Sequence, residues 1–166
     1  MEFNFFTLVF LFAILTSVLA LLWLNFRQDK AIDNSFDSVP DGFSETIKLE
    51  DHQKAGRYTK AKLLLNHFEI IFSTIVLLVW TLGGAMNWID GYWSQKIDDP
   101  VLMGTFFVLS IMLIASFIDL PFSIYRNFVL EQKFGFNRMT AGTFAADLIK
   151  EVILSLILVL PLIYAI

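Results

Sequence analysis

Long apolar runs separated by polar stretches mark four candidate membrane-spanning segments, at residues 3–24, 63–88, 101–118 and 144–166. A hydrocarbon core about 30 Å thick needs roughly 20 apolar residues in a helix, and the first run alone would extend about 33 Å at 1.5 Å per residue. A soluble fold of this length would instead spread its apolar residues at helix or strand periodicity. The pattern therefore predicts an all-α integral membrane bundle of about four transmembrane helices.

The polar stretches predict how these segments begin and end. Good helix formers over residues 49–62 should continue into the second span without a break, after a loop that begins at Asn25. Asp119 and Pro121 should stop the third span, and residues 122–138 alternate aromatic and charged positions, which predicts an interfacial helix. Gly135 should end that helix, and Thr140 is a candidate N-cap for the last one.

The basic residues predict the orientation of the bundle. Seven of the 12 lie in residues 25–62, four lie in residues 119–150, and only Lys96 lies between the second and third spans. Because short cytoplasmic loops carry an excess of Lys and Arg, segments 25–62 and 119–143 should face the cytoplasm and the N-terminus should face outward. The expected location is a bacterial inner membrane or the endoplasmic reticulum.

Composition supports the membrane assignment and excludes several kinds of function. The chain is 57% hydrophobic and only 17% charged, whereas soluble domains are about 45–50% apolar. A net charge of −4 gives no electrostatic support for a nucleic-acid partner. The absence of Cys removes disulfides, thiolate catalysis and Cys-based zinc sites.

The two histidines fit no hydrolytic motif, so the residues themselves assign neither a catalytic group nor a metal ligand. His52 and His67 both lack the H-E-x-x-H spacing of a zinc protease, and no phosphate-binding loop or G-x-S-x-G elbow is present. His67 and Glu69 are intramembrane polar candidates. An ionisable group at membrane depth costs free energy, so such a residue is a candidate for function. The alternative is that both lie near the headgroups, where they reach water or pair with Lys60 or Lys62.

Two stretches resemble the N-terminal membrane region of the integral-membrane CAAX prenyl proteases. The weaker one is residues 56–62, with Arg57, Tyr58 and Lys60, at the entry to the second span. The more specific one is residues 125–140, which resembles a family run of the form F-x-x-E-x-K-F-G-F-N-x-x-T. Its matching positions, together with the downstream ones, are Glu131, Phe134, Gly135, Asn137, Thr140, Phe144, Asp147 and Lys150.

The resemblance implies a zinc metalloprotease that trims prenylated C-a-a-X proteins or, in bacteria, acts in membrane-protein quality control. Family members enclose a chamber within a ring of membrane helices, and the implied partners are the lipid bilayer, a peptide or protein substrate and the rest of the protease chain. The family's H-E-x-x-H motif and its third, Glu ligand have no counterpart here. The matching residues should hold the chamber wall rather than touch substrate.

The C-terminal end of the sequence suggests an N-terminal fragment, because the chain stops at Ile166 inside an apolar run. The resemblance then implies a catalytic zinc domain beyond residue 166, and it implies that this segment should bind no zinc and be inactive alone. The competing interpretation is a non-enzymatic four-helix membrane scaffold or complex subunit that is complete at Ile166. A small ion conductor built on His67 and Glu69 is the third alternative.

The predicted orientation can be tested directly because the chain has no Cys of its own. We expect Ser38→Cys and Ser94→Cys, introduced singly, to react with a membrane-impermeant maleimide from opposite sides of the membrane. Intact and permeabilised vesicles distinguish the two sides. Labelling of both positions from the same side would contradict the orientation.

Overall fold

The computed structural model describes residues 4–164, and every regular element in that range is helical. The α-helices are α1 (Phe5–Asn34), α2 (Leu49–Thr81), α3 (Ala85–Ser94), α4 (Pro100–Ile124), α5 (Gln132–Phe134) and α6 (Ala141–Tyr164). A 3-10 turn (Asp41–Phe43) lies between α1 and α2, and a π-helical segment (Tyr125–Glu131) joins α4 to α5. The predicted all-α fold class is confirmed. The chain divides into two compact units, Met1–Leu78 and Val79–Ile166.

The first helix is longer than predicted. We expected the chain to leave helical structure at Asn25, but α1 runs to Asn34, so the predicted loop over residues 25–34 is wrong. Asn4 caps its first turn by accepting a hydrogen bond from the Thr7 N–H at 3.0 Å. The polar C-terminal turns of α1 remain helical because their side chains contact α2. Hydropathy alone does not predict these contacts.

The second helix confirms one prediction and corrects another. Residues 49–62 continue into the apolar run without a break, as predicted, but α2 ends at Thr81 and does not reach residue 88. The chain then turns at Gly84, which has a φ of +79°. Residues with a side chain rarely adopt that backbone conformation, so a glycine suits the turn between α2 and α3. We had expected an irregular connection where α3 lies.

The third predicted span and the interfacial helix are one continuous helix. Asp99 caps α4 by accepting from the Val101 and Leu102 N–H groups, both at 2.9 Å, but Pro121 does not stop it. If the helix ended in hydrocarbon, many backbone N–H and C=O groups would lose their hydrogen bonds, whereas Pro removes a single N–H donor. Continuing the helix through Pro121 therefore costs less free energy. The π-helical segment follows, and Asn127 donates from Nδ2 to the Ser123 carbonyl at 2.9 Å there.

Three helical stretches in the described residues are long and apolar enough to cross a membrane: Phe5–Asn34, Leu49–Thr81 and Pro100–Phe134. The fourth predicted span, 144–166, corresponds to α6, and its last two residues lie outside the described range. Large apolar side chains are widely exposed, with Phe5 81% and Phe117 73% accessible. Such surfaces suit a lipid environment better than water.

Candidate functional site

The segment that resembles the family run forms a turn between two helices. At its start the carbonyl of Glu131 accepts hydrogen bonds from the N–H groups of Phe136, at 2.9 Å, and Asn137, at 3.2 Å. Gly135 has a φ of +80°, and the position that a Cβ would occupy there has no neighbour within 4 Å. Gly is therefore required by the backbone conformation rather than by space, and it ends the helix as predicted.

Asn137 and Thr140 complete this turn and start the next helix. Asn137 Oδ1 accepts from the Met139 N–H at 2.7 Å, an Asx turn. Thr140 Oγ1 accepts from the Thr143 N–H at 3.1 Å, while the Thr140 N–H donates to Thr143 Oγ1 at 2.9 Å. The predicted N-cap at Thr140 is confirmed, and Thr143 makes it reciprocal. We define residues 131–143 as the helix connector.

Apolar contacts hold the two sides of the helix connector together. The rings of Phe128 and Phe144 meet edge to face, with centroids 5.4 Å apart. Leu130 is almost completely buried, and Glu131 and Phe134 are half-buried. Since α4 and α6 also pack against each other, the connector makes a helical hairpin from α4 and α6.

Asp147 and Lys150, two of the positions that match the family run, form an ion pair. Lys150 Nζ lies 3.0 Å from Asp147 Oδ1, one turn apart on α6. Both side chains are exposed, at 74% for Lys150 and 56% for Asp147. An exposed pair contributes little to folding, so its more important effect is to neutralise two charges at the polar start of an apolar helix.

In the first unit, α1 and α2 are joined by a row of polar contacts. Lys60 Nζ lies 2.6 Å from Asp33 Oδ1 and 3.6 Å from Asp29 Oδ1. On one side of this pair His52 Nε2 lies 2.7 Å from the Ser35 carbonyl oxygen. On the other side Asn66 Nδ2 donates to Asn25 Oδ1 at 3.3 Å. These contacts fix an antiparallel register between the two helices.

Asn25, Asp29 and Asp33 were not identified by sequence reasoning, because they were assigned to a loop. Asn25 is only 8% exposed, and its Nδ2 has no hydrogen-bond partner among the described residues. A signal was available, since the spacing of Asn25, Asp29 and Asp33 keeps one helical face. We ended the first helix where the apolar residues end, at residue 24, and did not use the spacing of the polar residues that follow.

The neighbouring predicted residues have different surroundings. Lys60 enters the row of contacts. Arg57 is exposed, and Tyr58 lies beneath the Lys62 ammonium, with 5.2 Å between Lys62 Nζ and the ring centroid. At Gly56 a Cβ would lie 3.2 Å from Phe36 and 3.3 Å from Ile32. This glycine, a weak point for helix propensity, therefore permits close approach of α1 to α2.

His67 and Glu69 do not assemble into a metal site. His67 Nδ1 lies 2.7 Å from the carbonyl oxygen of Leu63 on its own helix, and Glu69 is half-buried and makes contacts of its own. Across residues 4–164, no three His, Cys, Asp or Glu side chains come together in a way that could hold a metal ion. The described residues therefore do not fit a zinc ion.

Comparison with known families identifies the chain. Residues 28–166 match the family model described as CAAX prenyl protease N-terminal, five membrane helices. The chain belongs to the CAAX prenyl protease family. The match includes α2, the helix connector and the start of α6, so the resemblance inferred from residues 56–62 and 125–140 is confirmed.

Individual relatives agree with this family. The chain is 33% identical over 148 residues to the CAAX prenyl protease 1 homolog of Dictyostelium discoideum, a match that covers 84% of this chain and 34% of the relative. For the homolog of Caenorhabditis elegans the identity is 30% over 144 residues, covering 87% and 31%. The chain thus spans about a third of the length of these relatives.

A solved structure shows the same fold. The crystal structure of Ste24p from S. mikatae superposes with a TM-score of 0.80 at 24% sequence identity, covering 92% of this chain and 36% of that one. The fold of this chain therefore also occurs within a longer protein.

The asparagine pair between α1 and α2 leads to a test of the first unit. We expect Asn66→Leu to lower the free energy of unfolding by about 1–3 kcal/mol, because it leaves Asn25 Oδ1 buried without a donor. The double variant Asn25→Leu/Asn66→Leu should recover most of that loss, since both polar groups are then gone. Unfolding in mixed micelles, followed by circular dichroism, measures both. A double variant less stable than Asn66→Leu would contradict this explanation.

Proposed function

We propose that this chain is the membrane-embedded N-terminal region of a zinc metalloendopeptidase and forms part of the wall of its intramembrane chamber. The observation that carries the proposal is the family match over residues 28–166, in which the family-like run folds as the helix connector. A connector of this kind fixes the angle at which α6 returns along α4. A helix that forms part of a chamber wall must keep a fixed angle to its neighbouring helix.

The substrates in this proposal are prenylated proteins that end in C-a-a-X, from which the last three residues are removed. Support comes from the relatives from Dictyostelium discoideum and Caenorhabditis elegans, which both carry the name CAAX prenyl protease 1 homolog. These names favour C-terminal processing over the alternative role in membrane-protein quality control. Both relatives come from eukaryotes, which favours the endoplasmic reticulum as the membrane. In this proposal the N-terminus lies outside the cytoplasm.

Catalysis in this proposal belongs to the part of the relatives that this chain does not cover. A zinc protease needs three protein ligands that leave one position open for water, and the described residues bring no such set together. When bound, zinc would activate the attacking water. The residues of this chain would act by position: Gly135, Asn137 and Thr140 set the connector, and Asp147 and Lys150 neutralise each other on α6.

The proposal predicts how peptidase activity divides between this chain and the natural gene product that contains it. The natural protein should cleave a farnesylated C-a-a-X peptide, and 1,10-phenanthroline should abolish cleavage by removing zinc. Residues 1–166 alone should not cleave the peptide. Release of the C-terminal tripeptide, followed by mass spectrometry, measures both reactions.

The non-chelating isomer 1,7-phenanthroline is the matched control and should leave cleavage unchanged. Cleavage that survives 1,10-phenanthroline would show that the enzyme does not depend on zinc. Cleavage by residues 1–166 alone would show that the catalytic groups lie within this chain.

A further inference from the structure

Helix α3 connects two helical stretches that are long and apolar enough to cross a membrane, Leu49–Thr81 and Pro100–Phe134. Only residues 82–84 and 95–99 separate α3 from these stretches. When both stretches cross the bilayer, the chain between them stays on one side of it. The short connections therefore keep α3 at one boundary of the membrane, where lipid and water are both within reach.

One face of α3 is attached to α4. Ile89 is only 4% exposed, and α3 packs against α4. One turn after Ile89, the Trp93 ring stacks on Phe106 with centroids 4.9 Å apart, and Trp93 Nε1 donates to Ser110 Oγ at 2.9 Å. The stack and the hydrogen bond fix the rotation of α3 about its own axis, so the directions of its other two faces are fixed as well.

A second face of α3 is aromatic and is left open by the described residues. Trp88 is 72% exposed and Tyr92 44%, and their rings are stacked with centroids 6.2 Å apart. Lys96 follows one turn later, with its Nζ 4.1 Å from the Tyr92 ring centroid and 2.8 Å from the Tyr92 hydroxyl oxygen. We define these three residues as the aromatic face. Large rings with a polar group at one end are enriched where a membrane meets water.

The third face of α3 is polar. Asn87, Asp90 and Ser94 are exposed and follow one another at spacings of three and four residues, so they share one side of the helix. At about 100° per residue, this side is more than about 100° away from the aromatic face. A short helix with an apolar side and a separate polar side suits the plane between hydrocarbon and water.

The Lys96 ammonium favours lipid over a protein partner on the aromatic face. A packed protein would cover this ammonium together with the Tyr92 ring on which it lies, and removing a charge from water without a paired counter-charge is costly. In the headgroup layer the ammonium keeps its water and meets lipid phosphates, while the rings contact the upper part of the acyl chains. The lipid surface thus accommodates both the rings and the charge.

We propose that α3 is an interfacial anchor whose aromatic face inserts between the headgroups and the acyl chains of the leaflet at the start of α4. Its polar face meets water. Because Trp93 attaches α3 to α4, the anchor also fixes the depth at which α4 enters the bilayer. This inference is independent of the proposed peptidase activity, and it is tested without measuring cleavage.

Spin labels at single cysteines test the anchor in the full chain reconstituted into phosphatidylcholine vesicles, since the chain has no Cys of its own. Labels at Trp88→Cys and Tyr92→Cys should be more accessible to oxygen, which concentrates in the bilayer, than to a water-soluble nickel chelate. Labels at Asn87→Cys and Ser94→Cys should show the reverse order. The depth control is Ile75→Cys, a 53% exposed position in the apolar part of α2, which should show a larger oxygen excess than either aromatic position.

Three results at Trp88→Cys and Tyr92→Cys would overturn the proposal. Low accessibility to both reagents would show that protein covers the aromatic face, and an excess of the nickel chelate would place that face in water. An oxygen excess equal to that of Ile75→Cys would place it in the centre of the bilayer.

Tryptophan fluorescence tests the native ring if cysteine at position 88 disturbs α3. The part of the emission that Trp88→Phe removes should be quenched more by lipids brominated near the headgroup than by lipids brominated near the end of the acyl chain. The opposite order, or no quenching by either lipid, would overturn the proposal.

Discussion

The satisfaction of backbone hydrogen bonds in hydrocarbon is the constraint on which the rest of this structure depends. An unpaired N–H or C=O group at membrane depth costs several kcal/mol, so the chain remains helical wherever it can. This explains why α4 continues through Pro121 and why Asn127 donates its side-chain amide to the Ser123 carbonyl in the π-helical segment. Where the helix does end, as it does at Gly135, the freed groups have specific partners.

The helix connector shows how a family-specific run can be explained by this constraint. The Glu131 carbonyl accepts two backbone N–H groups, Asn137 accepts one through its side chain, and Thr140 and Thr143 cap each other. Gly135 supplies the positive φ between them. Asn137 thus completes a turn, and Thr140 and Thr143 complete the cap of the next helix. These roles position α6 and require no contact with a substrate.

Sequence reasoning was accurate where one local rule decides the outcome. The apolar runs predicted the helical membrane class, Gly135 predicted the end of one helix, and Thr140 predicted the start of the next. It was inaccurate where tertiary contacts or membrane cost override a local rule. Helix α1 continues past Asn25 because Asn66 and Lys60 of α2 contact its polar side chains. The periodicity of a sequence does not predict a contact between residues 41 positions apart.

The central claim is that the residues of the helix connector act by holding α6 in place. The most direct measurement compares the unfolding midpoint and the peptidase rate of Asn137→Ala and Thr140→Ala in the protease that we propose contains this chain. Loss of a cap or turn should cost about 0.5–2 kcal/mol of stability, while the rate well below the midpoint stays close to that of the unmodified protein. Unchanged stability with a large loss of rate would contradict the account and place these side chains against the substrate.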